Sequence, residues 1–184
     1  MRLLKYDNVS NFCDIGSRSL LGVNSLNIWG GVIPGSISFN GVAVVLQKVT
    51  NSSLTVSVYF GLYSRTGSTL SLANSASGSL TFGTAQAQSW MTLATSATQD
   101  ITPGNWYLAV MSNTSNDSRI SLMCYNNQAT GALMSQGYGG HFVRGWHSAS
   151  QSAMPASIAT SDLVKEGEPG SVGTLNHPYV LISS

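Results

Sequence analysis

The chain has 184 residues, of which 30 Ser, 14 Thr, 13 Asn and 19 Gly make up 76, while Asp, Glu, Lys and Arg together are only 8% against a usual share of about 25%. A net charge of +1 gives no basic field for displacing phosphate counterions, which disfavours nucleic acid and anionic lipid as partners. Disorder is disfavoured as well, because 42% of the residues are hydrophobic and 4 Trp, 7 Tyr and 5 Phe are present, enough for one core at the length of a single domain.

Taken in chain order, residues 1–35 alternate poorly and contain Gly30-Gly31 and Pro34. They are expected to form an N-terminal arm that docks on a neighbouring chain or makes an oligomer contact, outside a folded domain at 36–184. No apolar run of signal-peptide length follows Met1, and the longest apolar stretch, around residues 42–46, has the length of a strand rather than a membrane span. No membrane insertion is expected. Cys13 and Cys124 read as two reduced thiols packed as small hydrophobes.

Residues 35–39 and 41–48 predict two short strands or one long bent one. From Leu54 onward the alternation is clean: Leu54, Val56, Val58, Phe60 and Leu62 share one face. The opposite face starts polar at Thr55 and Ser57 and turns aromatic at Tyr59 and Tyr63. Turn chemistry at residues 65–68 joins this segment to residues 69–73 as a hairpin. Further strands are expected at 89–94 and, beyond a Pro-Gly turn at 101–105, at 106–111, where Trp106, Leu108 and Val110 share a face. Ile120, Leu122 and Cys124 alternate again, and 156–158 and 179–182 read as closing strands. Residues 165–178 read as a long surface loop. About eight to ten short strands and no amphipathic helix predict an all-β fold, an antiparallel β-sandwich of the jelly-roll kind.

Enzymatic chemistry leaves no constellation. There is no G-x-S-x-G elbow, no P-loop, no C-x-x-C pair and no H-E-x-x-H motif. The acidic residues, among them Asp7, Asp100 and Asp162, mostly fall in turn-like sequence, where Asp caps its own backbone. No catalytic residue, metal site or cofactor is expected, and an enzyme such as a small glycan hydrolase is disfavoured. The most unusual local composition is residues 137–148, with two His, three aromatics, one Arg and four Gly. One reading is a ligand-binding loop in which Tyr138 and Trp146 stack on sugar rings while His141, Arg144 and His147 hydrogen-bond to hydroxyls. The other is a glycine-broken strand pair whose Phe142 and Trp146 belong to the core or to a subunit interface.

Four segments stand in a telling order: residues 59–73 (YFGLYSRTGSTLSLA), 101–110 (ITPGNWYLAV), 154–158 (MPASI) and 177–182 (HPYVLI). Over residues 36–184 the chain resembles the jelly-roll domains of tailed-bacteriophage virion proteins, which carry such motifs in this order. The resemblance implies a β-sandwich at the tip of a tail fibre or spike, or on the capsid, most often a homotrimer that contacts host surface glycans or proteins. It implies attachment to other virion proteins, here through residues 1–35, and it transfers no catalytic residue. A virion protein made in the host cytoplasm also reconciles a hydroxyl-rich surface with the lack of an export signal. The alternative is a carbohydrate-binding module of a bacterial surface or secreted protein.

Overall fold

A computed structural model of the chain describes residues 2–5, 17–20, 26–33, 35–48, 52–86, 88–112, 120–126, 144–147, 151–165 and 176–183. These form strands β1 (Arg2–Lys5), β2 (Ser17–Leu20), β3 (Leu26–Ile33), β4 (Ile37–Lys48), β5 (Leu54–Thr66), β6 (Thr69–Phe82), β7 (Gln88–Ile101), β8 (Gly104–Ser112), β9 (Ile120–Asn126), β10 (Arg144–His147), β11 (Ser157–Ala159), β12 (Leu163–Lys165) and β13 (Asn176–Ser183). One short 3-10 helix, Thr160–Asp162, separates β11 from β12. The protein is all-β, with antiparallel sheets, as the alternation and turn spacing predict. Among the described residues no helix is long and apolar enough to cross a membrane.

The first sheet is organised on β4. One of its edges pairs with β7, from Ile37 opposite Ile101 to Gln47 opposite Gln88, with a register shift between Phe39 and Gly41 that bends the strand. The other edge is shared by β13, where Val42 faces Ile182, and β9, where Leu46 faces Leu122. Beyond them, β2 pairs with β9, and β1 runs parallel to β13 with Arg2 opposite Tyr179 and Lys5 opposite Ile182. The second sheet is antiparallel throughout, in the order β11-β6-β5-β8-β3-β10-β12.

The facing sides of the two sheets enclose the main core. Val42, Val44, Leu46, Met91 and Leu93 from the first sheet join Val56, Val58, Phe60, Leu108 and Val110 from the second. Each such side chain, removed from water, contributes about 1.5–3 kcal/mol of transfer free energy. Where β6 meets β7 the approach is close: a Cβ on Gly78 would lie 2.8 Å from Leu93 Cδ2, and the leucine would have to shift to admit it. The opposite side of the second sheet carries another apolar cluster: Ile28, Tyr63, Leu70, Tyr107, Ala109 and Met111, closed over by Ile158 and Leu163. As a result β8 is buried on both faces, with Tyr107 through Met111 at 1% exposure or less.

That second layer explains the main departure from expectation. The described residues among 1–35 join the sheets instead of forming a separate arm: they supply β1, β2 and β3, and β3 lies inside the second sheet between β8 and β10. Leu26, Ile28 and Trp29 are fully buried. A strand covered on both faces carries apolar residues at successive positions and loses its period of two, so β3 could not be read from alternation. Residues 37–48 form one long bent strand, and β6 runs on to Phe82, beyond the expected 69–73. Of the loop expected at 165–178, Lys165 ends β12 and Asn176 opens β13; residues 166–175 lie outside the described residues.

Candidate functional site

The long β5–β6 hairpin presents one side to the main core and the other outward. Because Val56, Val58 and Phe60 must face the core, Thr55, Ser57 and Tyr59 are turned out, and the partner strand sets Thr81, Ser79 and Ser77 directly opposite them. The hydroxyls meet across the strands: Thr55 Oγ1 and Thr81 Oγ1 are 2.9 Å apart, and Ser57 Oγ and Ser79 Oγ are 3.1 Å apart. Both ends of this hairpin are fixed. The closed end is a two-residue turn, Gly67-Ser68, between paired Thr66 and Thr69. Gly67 has φ +59°, which an L side chain rarely adopts. At the open end, the ammonium of Lys48 is buried to 5% exposure. It donates to three backbone carbonyls, Ser52 O at 2.9 Å, Gly83 O at 2.5 Å and Thr84 O at 3.0 Å. Every N–H of the ammonium is thereby matched by an acceptor, the condition under which a lysine is tolerated in such a place.

Toward the turn, a second piece of chain crosses the outer face. β11 pairs with Thr69–Ser71 of β6, Leu72 N donates to Ala156 O at 2.9 Å, and Thr160 N donates to Ser68 O at 2.8 Å. The Tyr63 hydroxyl donates to Pro155 O at 2.9 Å, with the Met154 sulfur 3.8 Å away. Burial pushes the Tyr63 phenol above its ordinary range, because the phenolate would lose its hydration. Gly61 makes room for this crossing: a Cβ there would lie 2.8 Å from Tyr63 Cε2 and 3.0 Å from Met154 Sδ. On the neighbouring turn, Arg65 donates from Nε to Gly67 O at 2.8 Å and from one terminal nitrogen to the Tyr107 hydroxyl at 3.5 Å.

Where the crossing segment stops short of the hydroxyl pairs, it leaves a surface concavity of roughly 400 Å³. Tyr59, Ser75 and Ser77 line it from the hairpin, Ala94 from β7, and Ala153 and Met154 from the crossing segment. Tyr59 is half-buried, Ser75 and Ser77 exposed. Among the described residues none that lines the concavity is charged, and none is a His or Cys. Among the described residues no group of three or more His, Cys, Asp or Glu converges on a point where a metal could sit. Apolar surface joined to hydroxyls is suited to holding a ligand that offers both.

Of the five residues expected from sequence, three are described. Arg144, Trp146 and His147 lie in β10, an interior strand with Arg144 opposite Trp29, Trp146 opposite Asn27 and His147 opposite both Leu26 and Leu163. The backbone at 144–147 is thus a strand and not a loop, whereas Tyr138 and His141 lie outside the described residues. The concavity beside Tyr59 was not anticipated. Its signal is the change from Thr55 and Ser57 to Tyr59 along one face, but the residues that complete it come from distant segments. Comparison with protein-family models, with curated proteins and with solved structures found no match to this chain.

Proposed function

We propose that this chain is a surface-exposed β-sandwich module of a bacteriophage virion, on the tail or the head, that adheres to a glycan of the host cell surface. The observation that carries the reading is the concavity beside Tyr59, in which an aromatic ring and a methionine adjoin serine hydroxyls and, among the described residues, no charged side chain, His or Cys is present. Sugars offer such a surface both C–H faces and hydroxyls. The segments behind the phage resemblance bear on the same region. Residues 59–73 form the turn end of the hairpin, residues 154–158 belong to the segment crossing it, and residues 101–110 lead from β7 into β8. In this reading the module works as a homotrimer assembled in the host cytoplasm and joined to other virion proteins. Residues 26–33, being interior to the second sheet, are not available for that attachment.

The test uses intact bacteria. Labelled protein should bind susceptible cells and lose that binding when the cell surface is oxidised with periodate, which cleaves the vicinal diols of sugars. Binding unaffected by periodate would sink the glycan reading. Light scattering should give about three times 19.3 kDa. A clean monomer that still binds glycan would favour instead the carbohydrate-binding module of a bacterial surface or secreted protein.

A further inference from the structure

We infer that the hydroxyl pairs of the β5–β6 hairpin continue the Tyr59 concavity into one extended binding tract, and that its ligand is an uncharged oligosaccharide. This rests on the glycan-adhesion reading and narrows it to a chemical class. Register places Thr55/Thr81, Ser57/Ser79 and Tyr59/Ser77 as successive cross-strand pairs on the same outward face. Successive pairs on one face are two residues apart, so the tract from Tyr59 to Thr55 runs about 13 Å at roughly 3.3 Å per residue. That length suits a short oligosaccharide lying along the strands rather than a single sugar in a pit.

The hydrogen-bonding capacity fits. Within each hydroxyl pair one O–H is spent on the neighbour. The other O–H and the remaining lone pairs face outward, so every pair offers a donor and acceptors to the hydroxyls of a sugar. The aromatic ring of Tyr59 and the thioether of Met154 supply an apolar stop at one end.

Among the described residues the tract holds no charge, and this sets the ligand class. Of the cations whose side chains are described, Lys48 spends its ammonium on three carbonyls beneath the open end, and Arg65 is held to Gly67 and Tyr107 by the turn. Among the described acidic residues, Asp100 accepts a hydrogen bond from Ser38 on the other sheet, and Asp162 lies in the 3-10 helix beyond β11. A uronate, sialate or phosphorylated glycan would be stripped of water along this surface with no counter-charge to receive it. A neutral chain loses nothing of the kind.

Binding is measured on an array carrying neutral and acidic bacterial oligosaccharides, at low and at high salt, for the full chain and for two variants. Ser79→Glu sets a carboxylate in the middle of the tract at an exposed position, and Tyr59→Leu removes the ring while keeping apolar bulk. The wild-type chain should select neutral glycans with affinity nearly independent of salt, since no ion pair is available to be screened. Each variant should weaken that binding on the order of tenfold, with the thermal midpoint of Ser79→Glu unchanged. Selection of acidic glycans with salt-sensitive affinity overturns the neutral class. Periodate-sensitive binding to cells that survives in both variants overturns the tract and leaves glycan adhesion standing. Failure to bind any glycan, on cells or on the array, overturns both.

Discussion

At the scale of single residues, two buried polar groups do more than their positions suggest. Tyr63 gives its hydroxyl hydrogen to Pro155 O and is held well above the usual phenol range by burial. In the unfolded chain a tyrosine ionises near pH 10, whereas the folded chain keeps this proton. The unfolded state therefore binds fewer protons above that pH, and stability falls as the pH rises. The contribution is whole below about pH 10 and disappears at higher pH. Tyr63→Phe should cost about 1 kcal/mol near neutrality through the lost hydrogen bond. It should also flatten the alkaline decline, as seen in denaturant melts at pH 7 and above pH 10. Lys48→Met should cost about 1–3 kcal/mol, shown by a lower urea midpoint with an unchanged slope, because it withdraws the common donor from Ser52, Gly83 and Thr84. Nothing in the sequence marks Lys48, since its partners are backbone carbonyls, two of them 35 and 36 residues away.

At the scale of elements, the β5–β6 hairpin shows which strands a sequence can disclose. β5 is legible because one face is core and the other solvent, so Val56 and Val58 alternate with Thr55 and Ser57. β8 is half legible: Trp106, Leu108 and Val110 mark the inner side, but Tyr107, Ala109 and Met111 are apolar too because the crossing segment covers them. The second half of β6 hides for another reason: its inward residues include Ala76 and Gly78, too small to mark an apolar face, with Leu93 and Met91 of β7 filling the space beside Gly78. Of the candidate site, the polar-to-aromatic change up to Tyr59 was in view. The wall formed by Met154 and Ala153 was not, because only the tertiary fold brings residues 151–165 across the hairpin. Gly61→Ala tests that seating. The added methyl is forced against the Tyr63 ring and the Met154 sulfur. Overpacking of this sort costs about 1–3 kcal/mol, and amide exchange should quicken at Leu72 and Thr160, the donors that tie the crossing segment down.

At the scale of the whole molecule, two sheets enclose the main core, and residues 157–165 supply both end strands of the second, β11 beside β6 and β12 beside β10. The second sheet has an apolar cluster on each face, so its interior strands β3 and β8 bury side chains at successive positions, Ile28 and Trp29 in one and Tyr107 to Met111 in the other. The parallel pairing of β1 with β13 bears on how such a pair of sheets is completed. It joins residues 2–5 to residues 179–182, nearly the longest sequence separation the chain allows. Closing so large a loop carries an entropy cost that local hairpins do not meet. In refolding followed by pulsed hydrogen exchange, the amides of the β5–β6 hairpin should gain protection first and those of β1 and β13 last. Simultaneous protection would show that the edge is set early. In synthesis, β1 and β4 are made long before β13, so until it emerges the β13-facing edge of β4 lacks that partner and is open to a neighbouring nascent chain.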